Sequence, residues 1–318
     1  MISVAVATYN GEKYLLEQLD SIREQTLPVD EVVISDDVSP DSTREIIRRY
    51  IDRYRLKGWM LIENKENLGY AENFRQALSR THGDVIFLCD QDDVWERDKV
   101  ERMVKIMEED PSILTLSSAY TYIDAKGEEI PYTNPRRDYS GRICRVSYPD
   151  FVRDFGYPGM SMALRSSIRE LFLEVRPRER EAHDFVMNTL SALQGGMAFF
   201  GVRLARYRQH ENNVIGAQRR TQARGDTDER LVQAELYRMH DRLCMELMGF
   251  LSEKGAALDP AREWTERQAE MDEKRVSYLR KKSVLGWLGN LGRIRRYQSV
   301  RTYVGDLLYL LNVAKFFK

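Results

Sequence analysis

Phe87-Leu88-Cys89-Asp90-Gln91-Asp92-Asp93-Val94-Trp95 is the stretch on which the reading of this chain turns. The apolar run from Val85 to Cys89 stops at three carboxylates within four residues. A buried strand that ends this way delivers acidic groups to the mouth of a cleft. Clustered carboxylates repel one another, so a cation is expected to compensate them, and a divalent metal carrying a diphosphate is the leading candidate. The plainer alternative is a solvated acidic turn at a helix start, where Asp is favoured anyway.

Two earlier runs have the same form. Ile2 to Thr8 is apolar and rich in β-branched residues, and it ends in Tyr9-Asn10-Gly11. Glu31 to Ser35 is a second buried-type strand, and it ends in Asp36-Asp37. Between them, Leu15, Leu16, Leu19 and Ile22 recur at helical spacing. Ser39-Pro40-Asp41-Ser42 caps a helix to about Tyr54. Further strands are expected at Met60–Ile62 and Ile113–Ser117, and helices at Ala71–Leu78 and Trp95–Glu109. Strands alternating with helices over about residues 1–120 imply an α/β fold, a mostly parallel sheet with helices on both faces. Ligands of such sheets sit beyond the carboxyl ends of the strands, so the three polar strand ends should converge on one cleft. No GxGxxG follows the first strand and no glycine-lysine phosphate loop occurs, which disfavours a dinucleotide cofactor.

Beyond residue 120 the pattern is less regular. Residues 132–148 read as a long loop, Met160–Leu164 and Met197–Ala205 as strands, and Glu181–Leu193 as a helix. Residues 217–228 are polar and read as a mobile linker. Residues 229–318 read as helical. From Lys274 onward basic residues dominate and Asp306 is the single acid. Trp287, Tyr297, Tyr303, Tyr309, Phe316 and Phe317 accompany them. Such a combination suits an anionic membrane surface, a helical hairpin packed on the catalytic domain, or a dimer interface. Nucleic acid is not expected as a partner, because no recognised motif accompanies the charge. Cys89, Cys144 and Cys244 are far apart and odd in number, which speaks against a zinc ribbon or a disulfide framework and suits a reducing cytosol. The first residues enter a strand without a signal-peptide pattern, and the C-terminal apolar segments are too short to span a bilayer. A cytoplasmic location is expected, with peripheral attachment to the inner face of the cell membrane as an extension of it.

Ala7-Thr8-Tyr9-Asn10-Gly11, Asp36-Asp37, Asn67-Leu68-Gly69, Asp90-Gln91-Asp92, His183-Asp184 and Tyr207-Arg208-Gln209-His210-Glu211-Asn212-Asn213 occur in this order. Taken jointly they resemble the family 2 glycosyltransferases of GT-A fold, over about residues 1–216. Asp-Gln-Asp-Asp-Val-Trp followed by Arg-Gln-His-x-x-Asn is similar to the bacterial rhamnosyltransferase-like branch, although fold does not fix substrate. The resemblance implies a nucleotide-sugar half at about 1–120 and an acceptor half at about 121–216. It implies inverting, metal-dependent transfer of a sugar, rhamnose in that branch, from a UDP- or dTDP-sugar to a glycan or lipid-linked glycan in bacterial surface polysaccharide synthesis. The rival from another class is a non-catalytic nucleotide-sugar or glycan-binding module of the same fold.

Specific residues follow from that likeness. Thr8, Tyr9, Asn10, Asp36, Asp37, Asn67, Gly69, Asp90, Gln91 and Arg208 would line the nucleotide-sugar site. Asp92, Asp90 and His210 would hold Mn²⁺ or Mg²⁺, which accept oxygen ligands and, for Mn²⁺, imidazole. Asp93 reads as the cap of the next helix or as a further ligand. Asp184 falls where the family's catalytic acid residue lies and would be the base for the acceptor hydroxyl. Gly159, Met160 and His183 would shape the acceptor side.

Overall fold

In the computed structural model, which describes residues 1–134, 137–176, 182–211, 229–292 and 300–311, the three acid-ended apolar runs become adjacent strands. β1 (Ile2–Thr8) lies between β2 (Glu31–Asp36) and β4 (Val85–Asp90), parallel to both. The register sets Thr8 opposite Asp36 and Ala7 opposite Asp90, so the polar ends share one edge. β3 (Trp59–Glu63) extends the sheet beyond β2 in the same direction. The helices between these strands are α1 (Leu15–Arg23), α2 (Thr43–Tyr54) and α3 (Tyr70–Leu78). Val4, Val6, Ile34, Ile47 and Phe87 form the centre of the core and are fully buried.

Three features differ from the pattern read off the sequence. Val94–Trp95 forms a short strand, β5, so α4 starts at Lys99 and runs to Glu109. β5 pairs with Ala205 and Arg206, a ladder more than a hundred residues away in sequence, which overrides the local helical spacing. Ile113–Ser117 and Tyr120–Ile123 belong to one continuous strand, β6 (Thr115–Ile123). The stretch read as a long loop carries β8 (Ile143–Arg145), preceded by β7 (Glu129–Ile130) and followed by α5 (Tyr148–Arg153).

A 3-10 turn (Gly159–Ser161) leads into β9 (Met162–Arg165), α6 (Ser166–Glu174), α7 (His183–Leu193) and β10 (Met197–Arg208). Among the described residues the sheet order is β3-β2-β1-β4-β9-β6-β10-β5, with β7 on β6 and β8 on β10. β9 is antiparallel to both β4 and β6, so β4 and β6 run the same way and end at the same edge. β10 is parallel to β6 and returns Arg208 to that edge.

These strands and helices form one compact unit, and residues 229–311 belong to a second. The second unit contains α8 (Glu229–Glu253), α9 (Asp259–Arg280), α10 (Val284–Leu288) and α11 (Val300–Leu310). Its core is built on Trp287 stacked on Tyr303 at 4.4 Å, with Leu279, Met271 and Ala234. Asp306 is buried and accepts hydrogen bonds from Arg275, Tyr278 and Arg230. Lys274 and Arg280 pair with Glu270 and Glu235. Of the aromatics read among the basic residues, Trp287 and Tyr303 face inward, and three of the basic groups are compensated by acids. No described helix is long and apolar enough to cross a membrane. The linker read at 217–228, Asn212, Asn213, Tyr297, Phe316 and Phe317 lie outside the described residues.

Candidate active site

The loop after β1 is pinned from two sides. Gln91 donates through its amide to the Tyr9 carbonyl and accepts from the Tyr9 N–H, both at 2.8 Å. The Asn10 N–H donates to Ser39 and the Gly11 N–H to Thr43. A side chain at position 11 would meet the Gln91 amide oxygen at 2.2 Å, which explains the glycine. Tyr9 remains 49% exposed at the cleft, its ring open for stacking. Asn10 adopts the left-handed conformation that Asn tolerates.

Thr8, Asp36 and Asp37 sit deeper than their motif alone suggests. Asp36 is fully buried and accepts from the Thr8 hydroxyl at 2.9 Å and from both the N–H and the hydroxyl of Ser39. Those bonds hold Val38 at φ 63°, a costly conformation for a β-branched residue. Asp37 accepts from the backbone N–H groups of Leu68 and Gly69, each at 2.8 Å, and from Asn64. Asn67 donates to the Asp37 carbonyl, and Gly69 takes a positive φ of 82° at the start of α3. Asn73 completes the network between Asn64 and the Thr8 carbonyl. The pair of acids thus shapes both loops of the cleft wall through hydrogen bonds of its own.

The acidic loop has two faces. Asp92 meets His210 at 2.7 Å, one carboxylate oxygen against Nε2. Asp93 turns inward, where it is fully buried and accepts from the Arg208 N–H at 2.9 Å. It ties β10 to the acidic loop, and Asp98 rather than Asp93 precedes α4. Arg208, placed by sequence among the donor contacts, has its guanidinium engaged by the Asp92 carbonyl, Glu17 and the Tyr14 ring. It braces the loop from beneath.

Asp184 stands in the first turn of α7, where one carboxylate oxygen accepts from the Gly159 N–H at 3.0 Å and the other from the Phe185 N–H at 2.8 Å. Its charge reaches Asp90. Burial, then Asp92, then Asp184 push the Asp90 carboxyl up to about 8. The backbone of Gly159 lies between Asp184 and Leu88 of β4, which brings Asp184 near the acidic end of that strand although 94 residues separate it from Asp90. Met160 is buried, and its carbonyl accepts from Lys99. His183 is buried and stacked on Phe74 at 3.9 Å, and burial holds it down to about 3, as the neutral imidazole. Met160 and His183 back the wall that Gly159 and Asp184 present.

Lys99 was not among the residues marked by the sequence. It is fully buried under the acidic loop, with Nζ 2.6 Å from the Met160 carbonyl and 3.9 Å from the centre of the Trp95 ring. Burial pushes it down to about 7, against the nearby Cys89, Asp93 and Asp90. One signal pointed to it: Lys99 is in helical register with Met103 and Met107, both fully buried, and so occupies an apolar stripe.

Among the described residues no three His, Cys, Asp or Glu side chains are grouped so as to hold a metal ion, so the expected set of Asp92, Asp90 and His210 is not brought together as three ligands. Asp92 and His210 nevertheless offer an oxygen and a nitrogen donor from one point. Mg²⁺ in diphosphate chemistry is held by one or two carboxylates with substrate phosphates completing the shell. Imidazole beside a carboxylate also suits Mn²⁺. The donor set fits such a cation.

Comparison with known proteins bears on the family and the fold. An uncharacterised protein of Mycobacterium tuberculosis is 29% identical over 232 residues, 67% of this chain and 60% of that protein. The chain thus spans less than two thirds of that relative's length. The dTDP-rhamnosyl transferase RfbG of Shigella flexneri is 25% identical over 222 residues, 67% of this chain and 74% of that one. Among solved structures, Staphylococcus aureus TarS 1-349 in complex with UDP-GlcNAc superposes with a TM-score of 0.62 at 17% identity, covering 93% of this chain and 81% of that one. The mannosyltransferase PcManGT of Pyrobaculum calidifontis, in complex with GDP-Man and Mn²⁺, gives 0.55 at 22%, covering 98% and 85%. The two structures share the GT-A fold with this chain. The sequence model of glycosyl transferase family 2 matches residues 3–172, more than half of the chain, and the protein belongs to that family.

Proposed function

We propose that the chain is an inverting glycosyltransferase that moves a sugar from a nucleoside-diphosphate sugar to a hydroxyl of a glycan or lipid-linked glycan, in the synthesis of bacterial surface polysaccharide. The observation that carries this reading is that the turn whose Gly159 N–H holds Asp184 packs on Leu88 of β4, the strand that ends in Asp90 and leads into Asp92. Tyr9, half exposed beside the buried Thr8–Asp36 pair, offers a face for a nucleobase. A UDP- or dTDP-sugar is the expected donor class, and RfbG, named for dTDP-rhamnose, makes rhamnose the first sugar to test.

Asp92 and His210 would hold a divalent cation, Mn²⁺ or Mg²⁺, with Asp90 beside them toward ribose or bound water. When bound, that cation neutralises the charge that develops on the departing diphosphate. Asp184 accepts the proton of the acceptor hydroxyl as its oxygen attacks the anomeric carbon from the face opposite the leaving group. Two backbone N–H groups fix the direction of its carboxylate, so little reorganisation is needed at the moment of attack. Arg208 and Asp93 keep the acidic loop in place.

Asp184→Asn should keep donor binding, measured by titration with UDP- and dTDP-sugars plus Mn²⁺, and lower transfer at least about a thousandfold, within the range of general-base contributions. Turnover at the wild-type rate would remove Asp184 as the base. Donor binding without transfer to any glycan in the wild-type chain would favour the binding-module reading instead.

A further inference from the structure

Three leucines of the helical unit stand in water, on α10 and just after it. Leu285 is 80% exposed, the highest value for a large apolar side chain among the described residues, and Leu288 and Leu291 are 42% and 49% exposed. The turn that carries them is firmly built. Ser283 accepts from the Gly286 N–H and caps α10. Trp287 is locked inward twice: its ring N–H donates to the Tyr303 carbonyl, and its own carbonyl accepts from the Tyr303 hydroxyl, each at 3.0 Å. A side chain at position 286 would meet Tyr278 at 2.8 Å, so that side of α10 also packs on the unit. Leu285 and Leu288 are three residues apart in α10 and share the face that the Trp287 anchor leaves outward.

Single exposed leucines are ordinary, but three gathered around one short helix mark a contact surface. The charge beside them indicates its occupant. Lys274, Arg275 and Arg280 are compensated by Glu270, Asp306 and Glu235. Lys281 and Lys282, which lead directly into the leucine turn, are exposed and have no acidic partner among the described residues. From Lys274 to the last residue the one acid is Asp306, and it is buried against Arg275. A second copy seated on this patch would bring its own lysines toward these, with no exposed acid of the segment to meet them. An anionic lipid surface meets both demands, since ammonium groups pair with headgroup phosphates while leucines enter the acyl boundary. No described helix is long and apolar enough to cross the bilayer, so the contact is one of shallow insertion.

We propose that Leu285, Leu288 and Leu291, flanked by Lys281 and Lys282, form an insertion patch that seats this chain on an anionic lipid bilayer. The inference goes beyond the transferase reading and does not depend on it. Within that reading, the patch brings the enzyme to the surface where a lipid-linked acceptor is held.

The full chain is floated with vesicles of phosphatidylcholine alone and of phosphatidylcholine mixed with phosphatidylglycerol. It should float with the mixed vesicles and stay behind with the neutral ones. Leu285→Ser, Leu288→Ser and Leu291→Ser combined should lower the partition coefficient about a hundredfold, at about fivefold for each leucine that no longer enters the acyl boundary. Lys281→Gln with Lys282→Gln should lower it about thirtyfold, at about fivefold per basic residue. Leu285→Ser alone, at the most exposed position, should lower it about fivefold with an unchanged thermal unfolding profile, which keeps the test readable should the triple variant fold poorly. The proposal is overturned if the chain does not float with the mixed vesicles, if it floats equally with the neutral ones, or if either leucine variant partitions as the wild type does. Sedimentation equilibrium without lipid tests the other occupant. A wild-type dimer that the triple leucine variant dissolves would assign the patch to a second copy and overturn the lipid reading, whereas monomers in both support it. Binding of UDP- and dTDP-sugars is recorded in the same samples. A chain that floats without binding them keeps the patch and counts against the transferase reading, and one that binds them without floating loses only the patch.

Discussion

Replacing Lys99 by Met tests how the two walls of the cleft are joined. Met keeps the aliphatic stem and the packing and removes the ammonium. The Met160 carbonyl would then lie buried without its 2.6 Å donor, which costs about 1–3 kcal/mol. The contact with the Trp95 ring at 3.9 Å, worth about 2 kcal/mol when desolvated, is lost as well. Against these, the chain no longer buries an ammonium, an offset that the depression of Lys99 to about 7 shows to be substantial. Removing one partner from a buried charged cluster costs about 3–5 kcal/mol, and the offset brings the expectation to about 3 kcal/mol. That is about a hundredfold in the opening equilibrium. Amide hydrogen exchange in β4 and β9 reads it locally, which suits a chain with two compact units and no guarantee of a single unfolding transition. Protection in those strands should fall by about two orders of magnitude. A change below about threefold would refute the idea that Lys99 joins the acidic loop to the acceptor turn. A second readout has a definite sign. Lys99 lowers the Asp90 carboxyl, so the variant should move Asp90 further above about 8, and an unchanged or lower value would refute the electrostatic part.

Gln91→Ala and Gly11→Ala should have the same consequence by different routes. The first removes the amide that brackets Tyr9, and the second drives a methyl into it at 2.2 Å. Two hydrogen bonds of about 1 kcal/mol each set the scale, so the donor dissociation constant should rise by up to about thirtyfold in each variant, and wild-type donor affinity in Gln91→Ala would refute the clamp. In the helical unit, Asp241 and Asp272 are buried near each other, and burial, their mutual repulsion adding for Asp241, raises them to about 9 and about 6. Both folded values lie above the ordinary carboxylate value, so between about pH 4 and pH 9 the folded unit holds protons that the unfolded chain has released. Stability should therefore fall as pH rises through that window, by up to about 1.4 kcal/mol per pH unit for each retained proton. Thermal unfolding of wild type and Asp241→Asn across pH 5–9 checks this, with a flatter profile expected for the variant. Identical profiles would sink it.

Much of the site was legible because its residues end strands. Asp36-Asp37 and Asp90 to Asp93 follow apolar runs, and parallel strands must place their carboxyl ends together. Their individual jobs were less legible. Asp92 and Asp93 are chemically identical neighbours, yet one faces His210 and the other lies under the Arg208 N–H, a difference fixed by β10 and invisible to local pattern. Arg208 reads in sequence as a nucleotide-sugar contact, and Glu17, 191 residues away, engages it. In sequence, Trp287 and Tyr303 lie among basic residues and suit a membrane surface, a packed hairpin or a dimer interface alike. Their stacking inside the helical unit depends on two helices meeting.

By itself, then, the sequence determined the alternation of strands and helices, the family, and which strand ends carry acids. Those features are encoded in local hydrophobic periodicity and in short ordered motifs. Tertiary structure decided which acid faces the cleft and where Lys99 and Arg208 spend their donors. Each of these depends on side chains tens to hundreds of residues apart being desolvated against one another. Burial sets the protonation state of Asp90, Lys99 and His183, and burial is a property of the packed chain.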